Sequence, residues 1–124
     1  MGCQMGGGLP EVTEEQIAEV KNVIDSNDVV LFLKGTKDQP VCGFSATAVQ
    51  VLNHFGVEDF TDVNVFDNRE MAFALIKHND WQTFPQLFVK GEFVGSTDII
   101  REMASSGEFE QLLRDKGIIE GAAA

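Results

Sequence analysis

Val29-Val30-Leu31-Phe32-Leu33 is an unbroken apolar run between Asp28 and Lys34. It is too short for a helix and begins with β-branched residues, so it predicts a strand. Side chains alternate across a strand, and here both sides are apolar, so both faces must be covered. That requirement points to an α/β architecture, a sheet with helices on both faces.

The flanking sequence supplies those helices. Thr13-Glu14-Glu15-Gln16 has the form of a capping box, and Ile17, Val20 and Ile24 follow at helical spacing, which predicts a helix over 14–26. After a loop at 35–41, Ala48, Val51, Leu52 and Phe55 form one stripe of a second helix that starts at Cys42 and stops at Gly56. Residues 60–66 predict a second strand, and Asp67-Asn68-Arg69-Glu70 opens a helix running to His78. A loop at 79–86 leads into a hairpin, Leu87-Phe88-Val89 and Phe93-Val94 around Lys90-Gly91-Glu92. Gly95-Ser96-Thr97-Asp98 caps a helix from Ile99, with Asp98 as N-cap, and Gly107 separates it from a last helix, Glu108 to Lys116. The helix between the first two strands makes them parallel, while the hairpin is antiparallel. The sum is a four-stranded mixed sheet in a single domain of 124 residues, with 1–12 and 118–124 as tails.

Composition narrows the functions. Nine Lys and Arg against 20 Asp and Glu give a net charge of −11, which repels nucleic acids and anionic membrane surfaces. The apolar runs fall far short of the roughly 20 residues of a membrane helix. The N-terminus has no secretory h-region, and Gly6 stands where a myristoylation start carries Ser or Thr. The two cysteines, Cys3 in a Gly-rich tail and Cys42, do not read as a disulfide framework, so a reducing compartment is expected.

Cys42 is the candidate reactive residue. A thiol at a helix N-terminus meets unpaired N–H groups and the positive end of the macrodipole, and such settings lower a cysteine pKa from about 8.5 to roughly 3.5–7.5. Lys34 and Lys37 are close enough in sequence to converge on it. Ser45 stands where the second thiol of a Cys-x-x-Cys pair would be. Trp81 is expected to pack its loop, and His54 and His78 to be surface residues with no partners at metal spacing.

Cys42-Gly43-Phe44-Ser45 resembles the active-site sequence of the monothiol glutaredoxins. The likeness runs from Ile17 to Gly117 and includes Lys34-Gly35-Thr36, Gln39-Pro40, Trp81, Thr83-Phe84-Pro85-Gln86, Gly91-Glu92 and Gly95 with Asp98. It implies a thioredoxin-like fold, a glutaredoxin domain over 13–117, and a cis peptide bond before Pro85. It further implies that Thr83, Phe84 and Pro85 form a platform for glutathione or a related thiol. Lys34 would meet the glycine carboxylate, Thr97 the α-carboxylate through N–H groups, and Asp98 the α-ammonium. The family commonly carries an Arg where this chain has Ala72, and Arg69 is the candidate substitute. Ser96-Thr97 replaces a frequent Gly-Cys, and Gln82 a frequent proline.

Two function classes follow. One is a glutathione-dependent thiol–disulfide oxidoreductase that removes glutathione from proteins. The other is a carrier of a [2Fe-2S] cluster. Such a cluster takes four ligands; the resemblance implies two Cys42 thiolates from a homodimer and two glutathione thiolates, and the thiol count permits that set. Ser45 removes the resolving thiol at that position and favours carriage, with an apo monomer, a cluster-bridged dimer, and donor and recipient proteins as partners. An interaction module without redox function is the least favoured class. The single-domain form resembles organellar and bacterial members, which points to the mitochondrial matrix, with the cytoplasm as alternative.

Overall fold

A computed structural model describes residues 3–4 and 12–119. In chain order the elements are β1 (Cys3–Gln4), α1 (Glu14–Ser26), β2 (Val29–Leu33), α2 (Gly43–His54), β3 (Thr61–Asn64), α3 (Arg69–Asn79), β4 (Thr83–Phe84), β5 (Gln86–Val89), β6 (Glu92–Gly95), α4 (Thr97–Ser106) and α5 (Glu108–Asp115). Strands β3-β2-β5-β6 form the main sheet, with β2 parallel to β3 and the other neighbours antiparallel.

The alternation of β2 divides the core. Val29, Leu31 and Leu33 pack with Ala48, Leu52, Ile100, Phe109 and Leu113 from α2, α4 and α5. Val30 and Phe32 pack with Val20, Ile24, Ala72, Leu75 and Phe84 on the face covered by α1 and α3. All five β2 side chains are buried, and each large one contributes about 1.5–3 kcal/mol relative to an exposed position. The fold is the thioredoxin-like α/β sheet expected from the sequence.

Local boundaries differ where side chains intervene. The Thr13–Gln16 capping box forms in both directions, at 3.2 and 3.0 Å. The second strand stops at Asn64, because Asn64 Oδ1 accepts the Phe66 N–H at 3.0 Å and turns the chain out of the sheet. Helix α4 starts at Thr97 with Ser96 as N-cap, so Asp98 lies inside the first turn and is not the cap. The 79–86 loop contains the short strand β4, which pairs with β1 rather than with the main sheet. In the segments read as tails, Cys3–Gln4 is a strand on β4, and Ile118 and Ile119 pack against the α2–α4–α5 core.

Gly95 closes the sheet against α4. Its φ is +149°, and a Cβ there would come within 2.8 Å of the Ile99 side chain. Among the described residues no helix is long and apolar enough to cross a membrane.

Candidate functional site

The topology gathers the candidate residues at one end. Strand β2 ends there, and the parallel strand β3 ends beside it. The antiparallel strand β5 starts there, with Gln86 opposite Phe32, and its predecessor Pro85 follows a cis Phe84–Pro85 bond. The helices that follow β2, β3 and β6 therefore present their N-termini at this end. Their first ladder bonds are Ala46 N–H to Cys42 O, Ala72 N–H to Asn68 O and Ile100 N–H to Ser96 O, each 2.9 Å. The N–H groups before each ladder face the same region and make it locally electropositive in a chain of net charge −11.

Cys42 is the N-cap of α2 and is partly exposed. Its Sγ lies 3.7 Å from Ser45 Oγ. Ser45 is fully buried and accepts the Lys34 N–H at 3.0 Å. Its hydroxyl thus ties the end of β2 to the first turn of α2 and fixes the height of Cys42 above the sheet. The hydroxyl proton remains available to a thiolate at Cys42.

The 34–41 loop closes through Val41 N–H to Lys34 O at 3.0 Å and a bridge between Gly35 and Pro40. Gly35 has φ +101°, and a Cβ there would lie 2.6 Å from Gln39 O and 2.7 Å from Val41 N. Only glycine permits the return that delivers Cys42. Asn64 Oδ1 also accepts the Gly35 N–H at 3.2 Å, tying the loop to β3.

Lys34 lies at the site end, its Nζ 5.8 Å from the centre of the Phe66 ring. Lys37 does not converge on the thiol as expected. Its Nζ donates to Phe60 O at 2.9 Å and Glu58 O at 3.4 Å, and it sits over the Phe60 ring. The Lys37 N–H is held by Asp62 at 2.9 Å, which directs this residue towards β3.

Thr83 and Phe84 form β4, with Phe84 and Pro85 buried. Gln86, fully buried, braces them. Its Nε2 donates to Trp81 O at 2.9 Å and Thr83 O at 3.2 Å, and its Oε1 accepts from Asn79 Nδ2 at 3.1 Å. Trp81 packs its ring on Phe93 at 5.4 Å, a packing role as anticipated. His54 and His78 are exposed.

Thr97 is buried, and its Oγ1 donates to Phe44 O at 2.7 Å, clamping the N-termini of α2 and α4 together. Its N–H belongs to the first turn of α4, beside the exposed Asp98. Arg69 opens α3, exposed, with its guanidinium 5.9 Å from the Phe73 ring. It lines a groove with Phe66, the residue under Lys34, so Phe66 joins the two cations. Ala72 is 1% exposed and part of the core.

Sequence reasoning missed Asn64, Phe66 and the bracing by Gln86. The signal for Gln86 was its chemistry, an amide in a strand otherwise made of apolar residues. Val41 and Phe66, 64% and 46% exposed, put apolar surface beside Cys42 and Lys34. Among the described residues no group of three or more His, Cys, Asp or Glu could hold a metal ion.

A family model described as Glutaredoxin matches residues 29–94. Probable monothiol glutaredoxin 2 of Rickettsia typhi is 50% identical over 97 residues, which cover 78% of this chain and 86% of that protein. Monothiol glutaredoxin-S15, mitochondrial, of Arabidopsis thaliana is 40% identical over 106 residues, 86% of this chain and 62% of that protein. Oxidized glutaredoxin 2 of Chlamydomonas reinhardtii superposes with a TM-score of 0.75 at 28% identity, covering 88% of this chain and all (100%) of that one.

Proposed function

Because this chain belongs to the glutaredoxin family, in its monothiol branch, we propose that it carries a [2Fe-2S] cluster and transfers it, with Cys42 and glutathione as ligands. The observation behind this reading is the pairing of Cys42 with Ser45, a hydroxyl bonded into the backbone where a dithiol protein has a second sulfur. One thiol cannot close a four-thiolate cluster. Two chains and two glutathiones can, and the cluster is then cargo held between copies.

Glutathione, or a related small thiol, would lie extended along Thr83 and Phe84, beside Pro85. Its glycine carboxylate would meet Lys34, with Arg69 across Phe66 in place of the missing Arg at Ala72. Its other carboxylate would take the first-turn N–H groups at Thr97 and Asp98, and the Asp98 carboxylate would hold its ammonium. The role fits iron–sulfur cluster assembly and iron and redox homeostasis, between donor and recipient proteins. The setting would be a reducing compartment, the mitochondrial matrix or, as alternative, the cytoplasm. The competing reading is glutathione-dependent thiol–disulfide exchange. A Cys42 thiolate would attack the glutathione sulfur of a modified protein and expel that protein's thiolate. A second glutathione thiolate would attack the glutathione sulfur of the Cys42–glutathione disulfide, releasing glutathione disulfide and the Cys42 thiolate.

Anaerobic reconstitution with iron, sulfide and glutathione tests the assignment. The parent and Cys3→Ser proteins should both turn red-brown, and Cys42→Ser should stay colourless. A chromophore in Cys42→Ser would remove Cys42 from the ligand set.

A further inference from the structure

We propose that β1 is a built-in occupant of the ligand edge, an extended strand from the chain's own N-terminus that competes with glutathione for Thr83 and Phe84. The inference rests on the proposed glutathione site. Strand β1 pairs antiparallel with β4, Cys3 opposite Phe84 and Gln4 opposite Thr83. Strand β4 belongs to no other sheet, so among the described strands β1 is its sole partner. The main-chain groups that a docked peptide would use are the ones β1 engages.

The edge is well made for such a strand. Behind it, the buried amide of Gln86, the first residue of β5, fixes Thr83 and Trp81 by their carbonyls, so β4 is held by a side chain of the main sheet and not by its ladder. Ahead of it comes Pro85, which has no N–H and cannot extend the ladder. The edge is therefore two residues long, matched to a short extended peptide, and recognition by strand addition reads main chain rather than side chains. A segment of this chain and a tripeptide thiol can satisfy the same groups.

The connection brings the two within reach. Helix α1 leads into the start of β2, so its own N-terminus, at Glu14, lies at the site end of the sheet. Residues 5–12 join β1 to the Thr13 cap, and so short a tether gives an effective concentration on the order of millimolar. Even a weak strand pairing then competes with a soluble ligand. A strand that occupies the edge about nine-tenths of the time lowers the apparent glutathione affinity about tenfold.

The test uses the full chain. Cys3→Pro with Gln4→Pro removes both strand N–H donors while keeping chain length, and Cys3→Ser keeps the donors while removing the thiol. Without glutathione, the one amide of residues 83–84 that donates to β1 should exchange slowly in the parent and in Cys3→Ser, and fast in the double-proline protein. By calorimetry the double-proline protein should bind glutathione about 3–10-fold more tightly than the parent, with Cys3→Ser like the parent. Equal exchange in parent and double-proline proteins overturns the docking of β1. Changed exchange with equal glutathione affinity overturns the competition. If none of the three binds glutathione, the glutathione site itself fails, and exchange alone then decides whether β1 occupies the edge.

Discussion

Ser45 and Lys34 meet through one hydrogen bond, and that bond sets the geometry of the thiol. The Lys34 N–H, left over at the end of β2, is satisfied by a buried hydroxyl whose other neighbour is Cys42 Sγ. The backbone of Lys34 thus ties into the Cys42 turn, while its ammonium lies over Phe66, where the proposed ligand's carboxylate would meet it. Lys37 plays no such part, because the Phe60 and Glu58 carbonyls just before β3 hold it. An anionic tripeptide on a chain of net charge −11 depends on such local cations. Lys34→Glu should therefore weaken glutathione binding at least tenfold, about 1.4 kcal/mol, by reversing the charge at the carboxylate. Calorimetry giving equal affinities would take Lys34 out of the site.

At the scale of elements, three helix N-termini and one braced strand make the site. The brace is Gln86, and Gln86→Leu keeps the volume but strands the carbonyls of Trp81 and Thr83 and the amide of Asn79. Urea denaturation should show a loss of about 1–3 kcal/mol, and an unchanged midpoint would mean that β4 is held by other contacts. The helices and β2 were legible in the sequence because periodicity, caps and an unbroken apolar run are local signals. The end of β3 was not, because the side chain of Asn64 terminates it through bonds to Phe66 and to Gly35, remote in sequence. The start of α4 was misplaced by two residues because Ser, Thr and Asp in succession all suit a cap, and the bond from Thr97 to Phe44 O depends on tertiary structure. The pairing of β1 with β4 left no periodic trace, since two residues in a Gly-rich segment carry none.

For the whole molecule, the proposed four-thiolate site needs two copies of the chain. Under the proposed carriage Cys42 supplies one sulfur per chain, and the exposed Val41 next to it in sequence would be surface for a second copy to cover. Apo chains of charge −11 repel one another, so association should follow the cluster. Analytical ultracentrifugation of the reconstituted protein, with iron and glutathione assayed on the same peak, tests this most directly. The account predicts a dimer carrying two irons and two glutathiones that returns to a monomer when iron is removed. A monomer that retains the cluster, or a dimer that holds it with no small thiol present, would contradict it.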